Sequence, residues 1–189
     1  MKTYYSLLNM RLSKLQKTIL YLLKYSQDCG YSNLSMFQIF KLVYLLEVEH
    51  RRYIGTPFLF DINFKREKNG PISTDIYNAV ESLTGKFINT KETQTEGYPF
   101  ARKCHSLSKA DLNGVLDFTT EELFFINSVL NDFLNIPQKK LQSIVYSTEP
   151  MVNIQQEEKQ KGRELLGQQL DLDTVLLDND ILERISYGG

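Results

Sequence analysis

Phe58-Leu59-Phe60-Asp61-Ile62-Asn63-Phe64, followed after four charged residues by Asn69-Gly70-Pro71, is the passage that decides the class of fold. Phe58, Phe60, Ile62 and Phe64 alternate with Leu59, Asp61 and Asn63, a period of two that predicts a strand with one buried face. Asn69-Gly70-Pro71 then predicts a turn, where Gly70 supplies the positive φ that such turns often need. Beyond the turn, Ile76, Ala79, Val80 and Leu83 recur at steps of three and four. A helix is therefore expected there, with Ser73 as its N-cap and Gly85 just past its end. A strand set between helices points to an α+β protein.

Working outward, Ser35 and Gln38 have the spacing of a capping box. Met36, Ile39, Leu42, Val43 and Leu46 give the helix behind it an apolar stripe, which Gly55 and Pro57 terminate after Arg52 or Tyr53. An earlier helix is predicted from Ser13 to Gln27, with Leu12, Leu15, Ile19, Leu22 and Leu23 on one face. Downstream, Phe87–Glu92 and Phe100–Ser106 read as strands joined by a turn at Thr95-Glu96-Gly97, with Pro99 at a strand start. Thr119 and Glu122 form a second capping box ahead of Leu123, Ile126, Leu130, Phe133 and Leu134. Pro137 starts a shorter helix with Leu141, Ile144 and Val145, which Pro150 stops near Glu149. Asp173 is expected to cap a last helix carrying Leu176, Leu177, Ile181, Leu182 and Ile185. The expected architecture is α+β: a mostly helical single domain with a small antiparallel sheet of about three strands.

Composition agrees with that size of fold. Among 189 residues, 42% hydrophobic and 24% charged is a globular mixture rather than a disordered one. No apolar run reaches the roughly 18 residues of a membrane span. Arg11, Lys14 and Lys17 interrupt the apolar N-terminal residues before a signal core forms, so a cytoplasmic protein is expected. Cys29 and Cys104 are then expected as reduced thiols. The net charge of −1 is uneven, because residues 155–189 hold eight carboxylates against four Lys and Arg. The remaining chain is only weakly basic, which argues against nucleic-acid binding.

Catalytic signatures do not emerge. His50 stands beside Arg51 and Arg52 at a helix end, where a cation offsets the helix dipole. His105 and Cys104 are neighbours in a predicted strand, so they point to opposite faces and make a poor metal or nucleophile pair. No phosphate loop, dinucleotide fingerprint or nucleophile elbow is present. The carboxylate pairs Glu121-Glu122 and Glu157-Glu158 suit a helix N-terminus and a solvated face. No catalytic residue, metal site or cofactor is expected, and the chain is read as a non-enzyme. The order helix, helix, strand, helix, hairpin leaves a winged-helix-like DNA-binding regulator as an alternative, with Lys91, Arg102 and Lys103 on the wing. Its third helix, with Asp75 and Glu81 and no Lys or Arg, is a poor reader of base edges.

The cluster Glu47-Val48-Glu49-His50-Arg51-Arg52-Tyr53 reads either as a solvated helix end or as a contact surface, since Arg and Tyr concentrate in binding hot spots. His50, Arg51, Arg52 and Tyr53, with Arg66 and Asn69 across the neighbouring turn, are the expected partner-binding residues. Gly55, Gly70 and Pro71 are expected to support them.

Phe40-Lys41-Leu42-Val43-Tyr44-Leu45, His50-Arg51-Arg52-Tyr53 with Gly55 and Pro57, Phe64, Asn69-Gly70-Pro71 and Ile76-Tyr77 together resemble the Panacea domain of SocA-like antitoxins. The likeness spans roughly residues 12–150, and its most specific motif is the Gly-Pro that enters a helix carrying Ile-Tyr. Where that family often shows a His and then Pro-Trp, this chain has Tyr146 and Pro150-Met151, and no Trp at all. The resemblance implies a Panacea-like domain over 1–150, leaving 151–189 as a polar, acidic and helical C-terminal segment. It implies an antitoxin of a bacterial or phage toxin–antitoxin pair, which neutralises a protein toxin encoded by an adjacent gene through direct binding. Some relatives instead act as adaptors delivering a partner to a protease, and that alternative stays open. The acidic tail either docks in a basic toxin groove through Leu176, Leu177, Ile181 and Leu182 or folds back on its own domain.

Overall fold

The computed structural model describes residues 12–94, 101–112 and 114–178, and within them six α-helices, one 3₁₀ turn and a three-stranded antiparallel sheet. The helices are α1 (Lys14–Asp28), α2 (Met36–Ile54), α3 (Thr74–Leu83), α4 (Thr120–Phe133), α5 (Gln138–Tyr146) and α6 (Glu149–Lys161). The strands are β1 (Leu34–Ser35), β2 (Ile88–Thr93) and β3 (Arg102–Leu107), in the order β1-β3-β2. Among the described residues, no helix is long and apolar enough to cross a membrane.

Contacts within this α+β fold gather in two compact units. One takes Met1–Ile39 with Asp75–Phe124, and the other Phe40–Thr74 with Phe125–Gly189. The sheet belongs to the first. Its helix α1 starts in a capping box, because Ser13 accepts from Gln16 N and Gln16 Oε1 accepts from Ser13 N at 2.8 Å. Ile19, Leu22 and Leu23 turn inward at the expected steps, as do Ile76, Ala79, Val80 and Leu83 of α3. Both expected hairpin strands form, with Thr90 opposite His105 and Ile88 opposite Leu107. Their connecting turn, with Thr95, Gly97, Pro99 and Phe100, lies outside the described residues. His105 is buried while Cys104 on the other face is partly exposed, and both cysteines are free. The His105 Nδ1 pairs with Thr90 Oγ1 at 3.0 Å, and burial, then the Lys103 charge, hold the imidazole pKa below its ordinary value.

Three sequence expectations are corrected. Residues 58–64 are not a strand: Phe60 is 69% exposed, Leu59 is buried, and Asp61 takes a left-handed φ of 62°. The backbone turns there instead of alternating, and the third strand of the sheet is Leu34–Ser35, paired with His105 and Cys104. The expected order helix, helix, strand, helix, hairpin is therefore replaced by α1, β1, α2, α3 and the β2–β3 hairpin, with the short strand between the first two helices. Pro150 does not only end a helix. It stands in the first turn of α6, where its missing N–H costs nothing, and α6 runs on to a C-cap at Gly162. The last expected helix is absent at its start, where residues 175–178 carry no regular structure. Ile181, Leu182 and Ile185 of that helix lie outside the described residues.

Candidate functional site

The second unit holds every residue of the expected contact patch, and its organising element is α2. From Lys41 to Val48 all eight residues are buried, so this part of α2 is covered all round rather than along one stripe. Two of the eight are charged, and each does a structural task.

Glu47 is fully buried and acts as a backbone cap. Its Oε2 accepts from Phe58 N at 3.1 Å and Leu59 N at 2.8 Å, while Oε1 accepts from Arg51 Nε at 3.0 Å. A carboxylate that takes two backbone donors in this way replaces the ladder partners a strand would have offered. That is the physical reason residues 58–64 turn.

Lys41 is the second buried charge, only 1% exposed. Its Nζ donates to the Pro71 carbonyl at 2.8 Å, gripping the Asn-Gly-Pro turn from one side. Arg66, itself 5% exposed, grips it from another. Arg66 Nη1 donates to the Glu67 carbonyl and to Tyr146 Oη, and Tyr146 Oη donates to the Lys68 carbonyl at 3.0 Å. The guanidinium lies 5.4 Å from the centre of the Tyr146 ring and pairs with Glu158 through Nε at 3.1 Å. Three side chains from distant parts of the chain, Lys41, Arg66 and Tyr146, thus pin three carbonyls of one turn. Gly70 has a φ of 92°, and a Cβ there would sit 3.1 Å from Lys41 Nζ and 3.3 Å from Tyr146 Cε2. Lys65 pairs with Ile72 on one side and Gln169 on the other, completing the frame in short antiparallel bridges.

Burial, with the Arg66 charge adding to it, lowers the Lys41 pKa to about 7. An unfolded lysine keeps its proton to about pH 10.4. Between pH 7 and that value the unfolded chain therefore binds more protons than the folded one, and stability rises with pH. Relative to Lys41→Met, the wild-type protein is expected to gain about 3 kcal/mol between pH 7 and pH 9.5, following about 1.4 kcal/mol per pKa unit. Urea unfolding of both proteins at the two pH values reads the difference, and parallel pH profiles would refute a depressed Lys41.

The end of α2 carries the rest of the patch. His50 Nδ1–H donates to the Thr56 carbonyl at 2.6 Å, and its ring packs edge-on to Phe125 at 5.0 Å between centroids. Arg51 bridges Glu47 and Asp173, the latter at 2.6 Å. Arg52 forms a two-pronged pair with Glu149 at 2.7 and 2.8 Å and also meets Glu49. Burial, the largest single influence, raises the Glu149 carboxyl, but the Arg52 hydrogen bonds and charge together with backbone N–H groups outweigh it and leave the pKa below the ordinary carboxylate value. Tyr53 and Asn69 are exposed. The structure thus brings His50, Arg51, Arg52 and Tyr53 together on one helix end, and places Arg66 beneath the turn that presents Asn69. Gly55, with a φ of 79°, lets the chain leave α2, and Leu177 packs where its Cβ would be.

Sequence reasoning gave Lys41 and Tyr146 no role, and it read Glu47 and Glu158 as surface carboxylates, whereas both pair with groups inside the fold. For Lys41 and Glu47 a signal existed, since they interrupt the otherwise apolar Phe40–Val48 run. A charge inside such a run is either on the wet face or paired with backbone. Tyr146 and Glu158 had no local signal, because their partners are distant in sequence. Among the described residues, no three His, Cys, Asp or Glu side chains come together as a metal site would need.

The arrangement defines a class: an α+β domain in which buried charges on a central helix and on a loop clamp an Asn-Gly-Pro turn. The chain belongs to the family described as Antitoxin SocA-like, Panacea domain, which matches residues 39–150. The matched span contains Lys41, Glu47, Arg66, the turn and Tyr146, while Glu158 and residues 165–178 lie beyond it. No curated protein matches the chain.

Proposed function

We propose that this protein is an antitoxin that neutralises a protein toxin, encoded by an adjacent gene, by direct contact and without catalysis. Membership of the antitoxin-like family carries the reading. It is supported by what the ionisable groups of the site do: Lys41, Glu47 and Arg66 are spent on backbone groups, and Arg51 and Arg52 on carboxylates. Such groups shape and stiffen a surface, and stiffness before binding lowers the entropic cost of association. The contact surface in this reading is the end of α2 at His50–Tyr53 together with the Asn69 turn, held rigid from below by Arg66, Gly70 and Pro71.

Co-expression with the product of the neighbouring open reading frame tests this directly. The neighbour alone is expected to arrest growth, and this chain to restore growth and co-purify with it. A harmless neighbour that leaves nothing bound would refute the reading. Rescue without a stable complex, with loss of the toxin that depends on a host protease, would assign the chain to the adaptor class instead.

A further inference from the structure

Helix α2 ends in Tyr53 and Ile54, which are 41% and 58% exposed. Residues 175–178 run alongside them, placed by two contacts. Leu177 Cδ2 lies 3.3 Å from where a Gly55 Cβ would be, and Asp178 N–H donates to the Arg52 carbonyl at 2.9 Å. Leu176 and Leu177 nevertheless remain 69% and 48% exposed. Four large apolar side chains therefore share one wet surface, drawn from two segments that the fold holds side by side. Such grouping marks contact surfaces more than scattered exposed leucines do.

The charge around this patch is one-sided. Arg52 faces the carboxylates of Glu49 and Glu149, and Arg51 reaches from the buried Glu47 to the exposed Asp173. Asp132 and Asp178 add to them. Burial first, and then Glu49, Asp178 and Asp132, hold the Tyr53 hydroxyl pKa above the usual tyrosine value, with Arg52 alone opposing. Burial, with Glu149 and Asp132 behind it, likewise raises Glu49 in spite of Arg52. A groove of ≈ 390 Å³ beside Arg51 is lined by Asp171 and Asp173 as well. The arginines that look basic in the sequence are thus over-neutralised, and the surface is acidic.

We infer that the apolar patch Tyr53, Ile54, Leu176 and Leu177, with its rim of Glu49, Asp132, Glu149 and Asp178, receives a basic partner surface, an apolar knob ringed by lysine or arginine. The inference rests on the antitoxin reading in taking the toxin as that partner. Charge disfavours the chain's own residues 179–189, which bring Asp180 and Glu183 against Arg184 and so repeat the sign of the rim. Complementary charge of this kind steers association and selects among partners.

The test compares the full-length wild-type chain with Asp132→Lys and with Leu176→Ser, both changed at exposed positions, after thermal melts show all three folded. One titrant is the purified neighbouring gene product. Two others are synthetic amphipathic helices, one of leucine and lysine and one of leucine and glutamate. Each variant is expected to weaken the toxin complex by about tenfold, and Asp132→Lys to flatten its salt dependence. The lysine peptide is expected to bind the wild type at least about fivefold more tightly than the glutamate peptide, a preference that Asp132→Lys erases. Toxin affinity unchanged in both variants overturns the proposal. So do two peptides bound equally weakly, which would mean that residues 179–189 or a second copy of the chain covers the patch. A neighbour that fails to bind the wild type, alongside a clear peptide preference, sinks the antitoxin reading and leaves the basic-partner surface standing.

Discussion

Replacing Glu47 with alanine is expected to destabilise the protein by about 3–5 kcal/mol, the usual cost of leaving buried partners without their charge. Three donors lose their acceptor at once: Phe58 N, Leu59 N and Arg51 Nε. Glu47 is 0% exposed, so water does not replace the carboxylate without opening the fold. Arg51 keeps its second pair with Asp173, which holds the loss toward the lower end of that range. At about 2–4 °C per kcal/mol for a chain of this length, melting should fall by about 10 °C. Glu47→Gln retains an acceptor oxygen and should lose roughly half as much. A melting temperature of Glu47→Ala close to that of the wild type would show that the turn at 58–64 has another source of order.

Gly70→Ala is expected to cost about 2–4 kcal/mol, from a strained positive φ of about 1–3 kcal/mol together with crowding of a packed site. Gly85 provides the control. Its φ of 80° resembles the 92° of Gly70, but a Cβ on Gly85 meets nothing within 4 Å, whereas one on Gly70 meets Lys41 at 3.1 Å and Tyr146 at 3.3 Å. Gly85→Ala carries the strain alone, so Gly70→Ala should be the worse by about 1 kcal/mol or more in denaturant unfolding. The added methyl pushes on the two side chains that hold Pro71 and Lys68, so under the proposed antitoxin function the loss should extend to growth rescue in the co-expression assay. Equal losses for the two glycine variants would mean that Lys41 and Tyr146 yield freely, and that the turn is not clamped.

Helices α1 to α5 were legible because their signals are local. A capping box at Ser35–Gln38 or Thr119–Glu122 needs only four residues, and the stripe of Ile76, Ala79, Val80 and Leu83 needs only the helical period. The two hairpin strands were read within a residue or two of their observed bounds, while their register came from the structure. The Asn-Gly-Pro turn was also readable, as was the family likeness built around it, since turn chemistry sits in adjacent residues.

Where long-range partners compete with local pattern, the local pattern loses. Residues 58–64 have the alternation of a strand, yet a carboxylate on α2 takes the N–H groups of Phe58 and Leu59, and Asp61 turns the chain away. Leu176 and Leu177 have the composition of a helix face, yet their segment lies open along the end of α2 with Asp178 bonded to the Arg52 carbonyl. The proposed contact patch followed the same rule. Its location at the end of α2 came from residue types, but its sign did not, because an arginine's effective charge depends on which carboxylates the fold sets around it. By itself the sequence determined helices α1 to α5, the hairpin strands, the turn and the family. Only the tertiary structure decided that Lys41 and Glu47 are buried braces, that Arg66 supports the turn from within, and that the arginine-rich helix end is acidic, since each depends on partners brought from far along the chain.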